Sequence, residues 1–113
     1  MADNLGNEKV FENDKIIVWN FTLQPGEFTP VHTHERPYMW YAIEGAPLQL
    51  FDENGKDLGV FEIPTGAVYS LKYENGYLEV LSEIGKGARV PATHKAQNVG
   101  STPYREVLVE YKT

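Results

Sequence analysis

Short runs of Val, Ile, Leu and aromatic residues follow one another along this chain, with turn residues between them. The runs are IIVWNFTL at 16–23, YMWYAI at 38–43, PLQLF at 47–51, LGVFEI at 58–63, AVYSLKY at 67–73, YLEVL at 77–81 and YREVLVEY at 104–111. Between them stand Pro25-Gly26, Asn54-Gly55, Pro64-Thr65-Gly66, Asn75-Gly76 and the stretch from Gly100 to Pro103. β-Branched and aromatic side chains pack well on a pleated surface, and Asn-Gly supplies the positive φ angles of a tight hairpin. No segment carries apolar residues at i, i+3 and i+4 over three turns, the spacing by which a helix buries one face. The pattern predicts an all-β fold of short, mostly antiparallel strands closing into a sandwich or barrel, with almost no helix.

Alternation within 38–43 adds a detail. Tyr38, Trp40 and Ala42 share one face of that strand, and Met39, Tyr41 and Ile43 share the other. Both faces are apolar, so both call for a cover. The barrel interior covers one; a second layer or another subunit covers the other.

Composition narrows the function classes. The chain has 113 residues, enough for one core and too few for a second. Ten Lys and Arg against sixteen Asp and Glu give a net charge of −6, with no basic cluster. Nucleic acid is therefore not an expected partner. The longest apolar run, Met39 to Ile43, is too short to cross a membrane as a helix. There is no cysteine, which excludes disulfides, thiolate zinc sites and a cysteine nucleophile. The first residues, MADNLGNEKVF, lack the basic start and apolar stretch of a signal peptide. A cytoplasmic setting is the expectation.

The three histidines carry the chemistry. His32 and His34 form a His-x-His pair between Pro30 and Pro37, where a helix is disfavoured. In an extended segment, residues i and i+2 point the same way, so the two imidazoles can converge on one cation. His94 opens a His-x-x-x-Asn sequence ending at Asn98. If its strand pairs beside the first, it completes a set of three. A lone buried histidine is more often a hydrogen-bonded core residue, and it is the context of all three that favours metal.

That context resembles the cupin superfamily. The first cupin motif reads here as Gly26, five residues, His32-Thr33-His34, three residues, Tyr38, six residues and Gly45. Every spacing fits, but Tyr38 stands where the family usually has Glu. His94 to Asn98, followed by Val99-Gly100 and a closing run at 104–111, resembles the second motif. The resemblance covers about residues 15 to 112. It implies a single-domain, cupin-type antiparallel β-barrel (a double-stranded β-helix or jelly roll) over 1–113, with a short N-terminal extension. A rival alignment of the second motif puts Tyr69 in the third ligand position. The alignment with His94 is preferred, and it makes the segment 72–90 an added hairpin or lid beside the site.

Three imidazoles suit Fe(II), Ni, Cu or Zn, with Mn feasible, so one divalent transition metal per chain is expected on His32, His34 and His94. Three protein ligands leave open positions, the mark of a catalytic site. Proton competition should weaken metal binding as pH falls through the imidazole range, ordinarily about 6.5. Tyr38 is the candidate for orienting a substrate at the metal, with a barrel-core aromatic whose hydroxyl sits at the mouth as the equal alternative. Arg89, Lys95 and Arg105 are available to hold a substrate carboxylate. The expected function is a metal-dependent enzyme with dioxygenase-type chemistry on a small oxygenated organic molecule. The alternatives are a non-catalytic binding or sensor protein, or a cupin isomerase or lyase. Dimers are frequent among small cupins, and with the two-sided apolar strand this implies a homodimer.

Overall fold

The structure, a computed structural model, describes residues 8–112. Among these residues there is no helix. Eleven strands run in the order β1 (Glu8–Glu12), β2 (Ile16–Leu23), β3 (His32–Thr33), β4 (Tyr38–Glu44), β5 (Ala46–Asp52), β6 (Asp57–Ile63), β7 (Val68–Glu74), β8 (Tyr77–Val80), β9 (Arg89–Pro91), β10 (Thr93–Asn98) and β11 (Tyr104–Tyr111). They form two sheets. The larger has the order β1-β2-β11-β4-β7-β8-β9, and the smaller β3-β10-β5-β6. All pairings are antiparallel, as the hydrophobic pattern predicts.

Both Asn-Gly pairs turn hairpins. Asn75 and Gly76 have φ of 52° and 82°, the pair of positive values that a two-residue turn between β7 and β8 requires. The β5–β6 turn is built differently. There the Asp52 carboxylate accepts hydrogen bonds from the backbone N–H groups of Asn54 and Lys56, at 2.8 and 2.9 Å. Gly45 is required by close approach. A Cβ there would lie 2.0 Å from the Ile63 carbonyl oxygen, so no side chain fits where the chain passes from β4 to β5.

Leu23, Tyr38, Ala42, Leu48, Leu78 and Leu108 are among the buried residues between the sheets. Tyr38 and Ala42 face this core, as alternation predicts. On the opposite face, Tyr41 and its cross-strand neighbour Val68 stay 45% and 42% exposed. No second layer of the described chain covers that pair.

The segment 72–90 takes the hairpin form. It supplies β8 and the start of β9, which extend the large sheet. Val80 and Ala88 close its outer loop through a backbone bond of 2.9 Å, and Leu81 N–H donates to the Ser70 carbonyl at 2.7 Å. Strand β1 lies in the expected N-terminal extension, where the sequence pattern gives no strand. All five of its residues are exposed, so its partner β2, and not burial, makes it a strand.

Candidate metal and ligand site

The smaller sheet assembles the histidines. Strand β10 is paired with β3 so that His94 lies directly opposite His32. His34 follows two residues after His32, and its backbone N–H donates to the Ala92 carbonyl at 3.0 Å. The three rings gather at centroid distances of 4.7 to 5.2 Å. One nitrogen from each lies within 4.8 Å of the others. Tyr69 is elsewhere, on β7, stacked on Trp40 at 4.2 Å. The geometry thus gathers the set containing His94, not the set containing Tyr69.

The donor set suits a divalent cation. His32 Nδ1 lies 3.0 Å from the Pro30 carbonyl, and His94 Nδ1 lies 2.7 Å from the Pro91 carbonyl. A carbonyl only accepts, so each Nδ1 carries the hydrogen, and in the neutral His94 imidazole this leaves the lone pair on Nε2. Backbone carbonyls are common orienting partners of metal-binding histidines. His34 Nδ1 is buried without a hydrogen-bond partner among the described residues. An orphaned buried nitrogen costs free energy, and a cation coordinated by that nitrogen would relieve it. Burial, then the neighbouring His32 and His94, hold the His34 imidazole well below its ordinary range. Burial first, then His32, bring His94 down to about 4, against a partial rise from the Pro91 carbonyl. Both are neutral at pH 7, as ligation demands. Burial thus suppresses proton uptake by these two rings, so protonation of their nitrogens sets in below the ordinary imidazole range.

Tyr38 packs flat on His34, with ring centroids 4.4 Å apart and planes 12° from parallel. Burial, helped by the Glu106 charge, pushes its hydroxyl far up, so the phenol stays protonated. It covers one face of the His34 ring and lines the cavity beside it.

That cavity occupies about 520 Å³ between the sheets, and its wall includes all three histidines. The volume falls within the range of small-molecule sites, about 300–1,000 Å³. Segment 72–90 contributes Val80, and Ile84, Gly85, Ala88 and Val90 also line it. No lysine or arginine among the described residues lines it. The three basic candidates lie outside. Arg89 rests over the Tyr77 ring, Lys95 over Phe28 and Phe51, and Arg105 faces Glu44 at 3.4 Å. The expectation of a carboxylate clamp is corrected accordingly.

Asn98, the end of the second motif, is fully buried and serves the fold. Its amide donates to the carbonyls of Leu23 and Thr102, both at 2.9 Å, and its oxygen accepts from Gly100 N–H at 2.9 Å.

Sequence reasoning missed Glu106. Its carboxyl is buried in the cavity wall, and it accepts the Tyr104 hydroxyl at 2.5 Å. Burial raises it to about 7, against the opposing pull of that hydroxyl. The available signal was its place in alternation with Tyr104 and Leu108 on β11.

The two facing antiparallel sheets, with this histidine cluster at the wall of the space between them, define a cupin-type double-stranded β-helix. A cupin domain from Bordetella pertussis Tohama I matches 96% of this chain and 97% of its own, with a TM-score of 0.65 at 19% identity. An RmlC-like cupin protein from Methanocaldococcus jannaschii matches over 92% of this chain and 76% of its own, with a TM-score of 0.57 at 16% identity. The polyketide cyclase RemF from Streptomyces resistomycificus matches over 93% of this chain and 63% of its own, with a TM-score of 0.56 at 18% identity. No family model and no curated protein matches by sequence, so the likeness is one of fold.

Proposed function

We propose that this chain is a metal-dependent enzyme acting on a small oxygenated organic molecule. His32, His34 and His94 hold one Fe(II), Mn, Ni or Zn, and Tyr38 orients the substrate. The observation that carries this reading is the meeting of three imidazole nitrogens within 4.8 Å at the wall of a substrate-sized cavity. When bound, such a cation accepts substrate oxygens and polarises a carbonyl or activates O₂. The Pro30 and Pro91 carbonyls orient His32 and His94 through their Nδ1 atoms, which turns the Nε2 edge of each ring outward from those bonds. The protonated Tyr38 hydroxyl can donate a hydrogen bond to a substrate oxygen. The favoured version is dioxygenase-type oxidation with Fe(II). The likeness to a protein named as a polyketide cyclase supports an oxygen-bearing carbon skeleton as substrate.

The test is oxygen uptake by Fe(II)-loaded protein offered a panel of enolisable carbonyl compounds. Uptake that requires both iron and compound is expected. Product without oxygen uptake would replace this version by an isomerase or lyase. Binding without product under Fe, Mn, Ni and Zn would replace it by a non-catalytic binding protein. We also propose a homodimer, supported by the exposed Tyr41 and Val68 side by side on the outer face of β4 and β7.

A further inference from the structure

A buried carboxyl without an ion-pair partner is expensive to keep, and among the described residues Glu106 is one. Among the described residues its hydrogen-bond partner is the Tyr104 hydroxyl, which reaches only Oε1. The surroundings are aromatic. Phe21 meets Tyr104 edge-on at 6.1 Å, and Trp40 stacks on Tyr69 and meets Tyr104 edge-on at 6.4 Å. All four rings line the cavity together with Glu106.

Registers place this end relative to the histidines. On β11, Glu110 lies opposite Tyr38 of β4, and Glu106 lies opposite Ala42. Glu106 is therefore two inward positions further along the strand than the level of Tyr38, about 13 Å at the usual rise. The register shifts just beside it, between Arg105 and Glu106, leaving Ile43 of β4 without a partner across the ladder. Such a bulge re-aims side chains next to a site. The cavity thus has two polar ends, histidines and a carboxyl, joined by apolar and aromatic walls. The other carboxylates on its wall are Glu27 and Glu62, and among the described residues no lysine or arginine lines it to receive an anion.

We propose that the cavity takes an uncharged, flat, aromatic molecule whose hydroxyl donates a hydrogen bond to the Glu106 carboxylate while its far end reaches towards the histidines. This deepens the metal-dependent reading and rests on it for the role of the histidine end. The aromatic walls supply flat contact area, which favours ring systems over sugars. The carboxyl rejects anions by like charge and rewards a hydroxyl donor with a charge-assisted bond.

The experiment is calorimetric titration of metal-free protein at pH 8 with four probes: 2-naphthol, 2-methoxynaphthalene, 2-naphthoate and 2-naphthylmethylammonium. 2-Naphthol is expected to bind at least about tenfold more tightly than the methyl ether, which cannot donate. Naphthoate is expected to bind more weakly still. In Glu106→Gln the preference for naphthol over its ether should collapse. Tyr104→Phe frees the carboxylate from its internal donor, so naphthol binding is expected to hold or tighten. Equal binding of naphthol and ether by the wild type, tighter binding of naphthoate or of the ammonium, an unchanged preference in Glu106→Gln, or loss of naphthol binding in Tyr104→Phe would each overturn the proposal. Because no metal is present, failure here leaves the metal reading standing. Failure to load metal in a protein that binds naphthol strikes the metal reading alone.

Discussion

Replacing Glu106 by Gln keeps the volume of a buried side chain and removes its charge. In the folded protein burial raises this carboxyl to about 7, against an ordinary 4.5. Since the folded state holds the proton more tightly, stability falls as pH rises from about 4.5, and the loss is complete above about 7. The difference corresponds to about 3 kcal/mol of lost stability at pH 8. That is a large share of the 5–15 kcal/mol that holds a typical domain together. Gln retains an oxygen for the Tyr104 hydroxyl, so the substitution forfeits at most about 1 kcal/mol of hydrogen bonding. Glu106→Gln is therefore expected to be more stable than the wild type by about 2–3 kcal/mol at pH 8 and no more stable at pH 4.5. Urea unfolding of both metal-free proteins at pH 4.5, 6 and 8, followed by tryptophan fluorescence, measures this. The buried histidines act with the opposite sign. His94, lowered to about 4, contributes stability that is present above about 6.5 and lost as pH falls towards 4. Wild type and variant share that trend, so it cancels in their difference. A difference that does not change with pH, or a variant less stable at pH 8, would refute the reasoning.

Gly45→Ala should destabilise by about 3 kcal/mol or prevent folding, because its Cβ would meet the backbone of β6 and the turn after it; thermal unfolding reports the loss. Metal affinity should change less between pH 7 and 5.5 than for an exposed histidine chelate, since burial already keeps His34 and His94 neutral; zinc titration at the two pH values measures it. Light scattering at micromolar concentration should give twice the chain mass, and Tyr41→Lys should shift it towards the monomer if the β4–β7 face is the interface.

Turn chemistry made most of the fold legible. The runs at 16–23 and 104–111 coincide with β2 and β11, because Pro-Gly and Gly-to-Pro stretches bound them on the loop side. The His-x-His pair was legible because a strand sends i and i+2 the same way. Strand β10 was harder to read. Its inward residues are His94, Ala96 and Asn98, so no apolar alternation marks it, although it sits between β3 and β5. Glu106 was hidden for the converse reason. In YREVLVEY the apolar alternation of Val107 and Val109 suggests an inward face, yet Glu106 and Glu110 are the buried ones. The Tyr104 hydroxyl donates to the Glu106 carboxyl, and the Trp19 indole N–H donates to the Glu110 carboxyl at 3.0 Å. Trp19 lies on β2, far from Glu110 in sequence, where no local pattern connects the two.

The most direct test of the metal centre is the metal content of wild type, His94→Ala and Tyr69→Phe, each reconstituted in turn with Fe(II), Mn, Ni and Zn. The wild type and Tyr69→Phe are expected to hold about one metal per chain, and His94→Ala less than about a tenth, since losing one of three ligands breaks the chelate. Tyr69→Phe removes only a hydroxyl from a ring stacked on Trp40. A wild type that holds less than about a tenth of an equivalent with every metal, or a His94→Ala protein that keeps its full complement, would contradict the three-histidine centre.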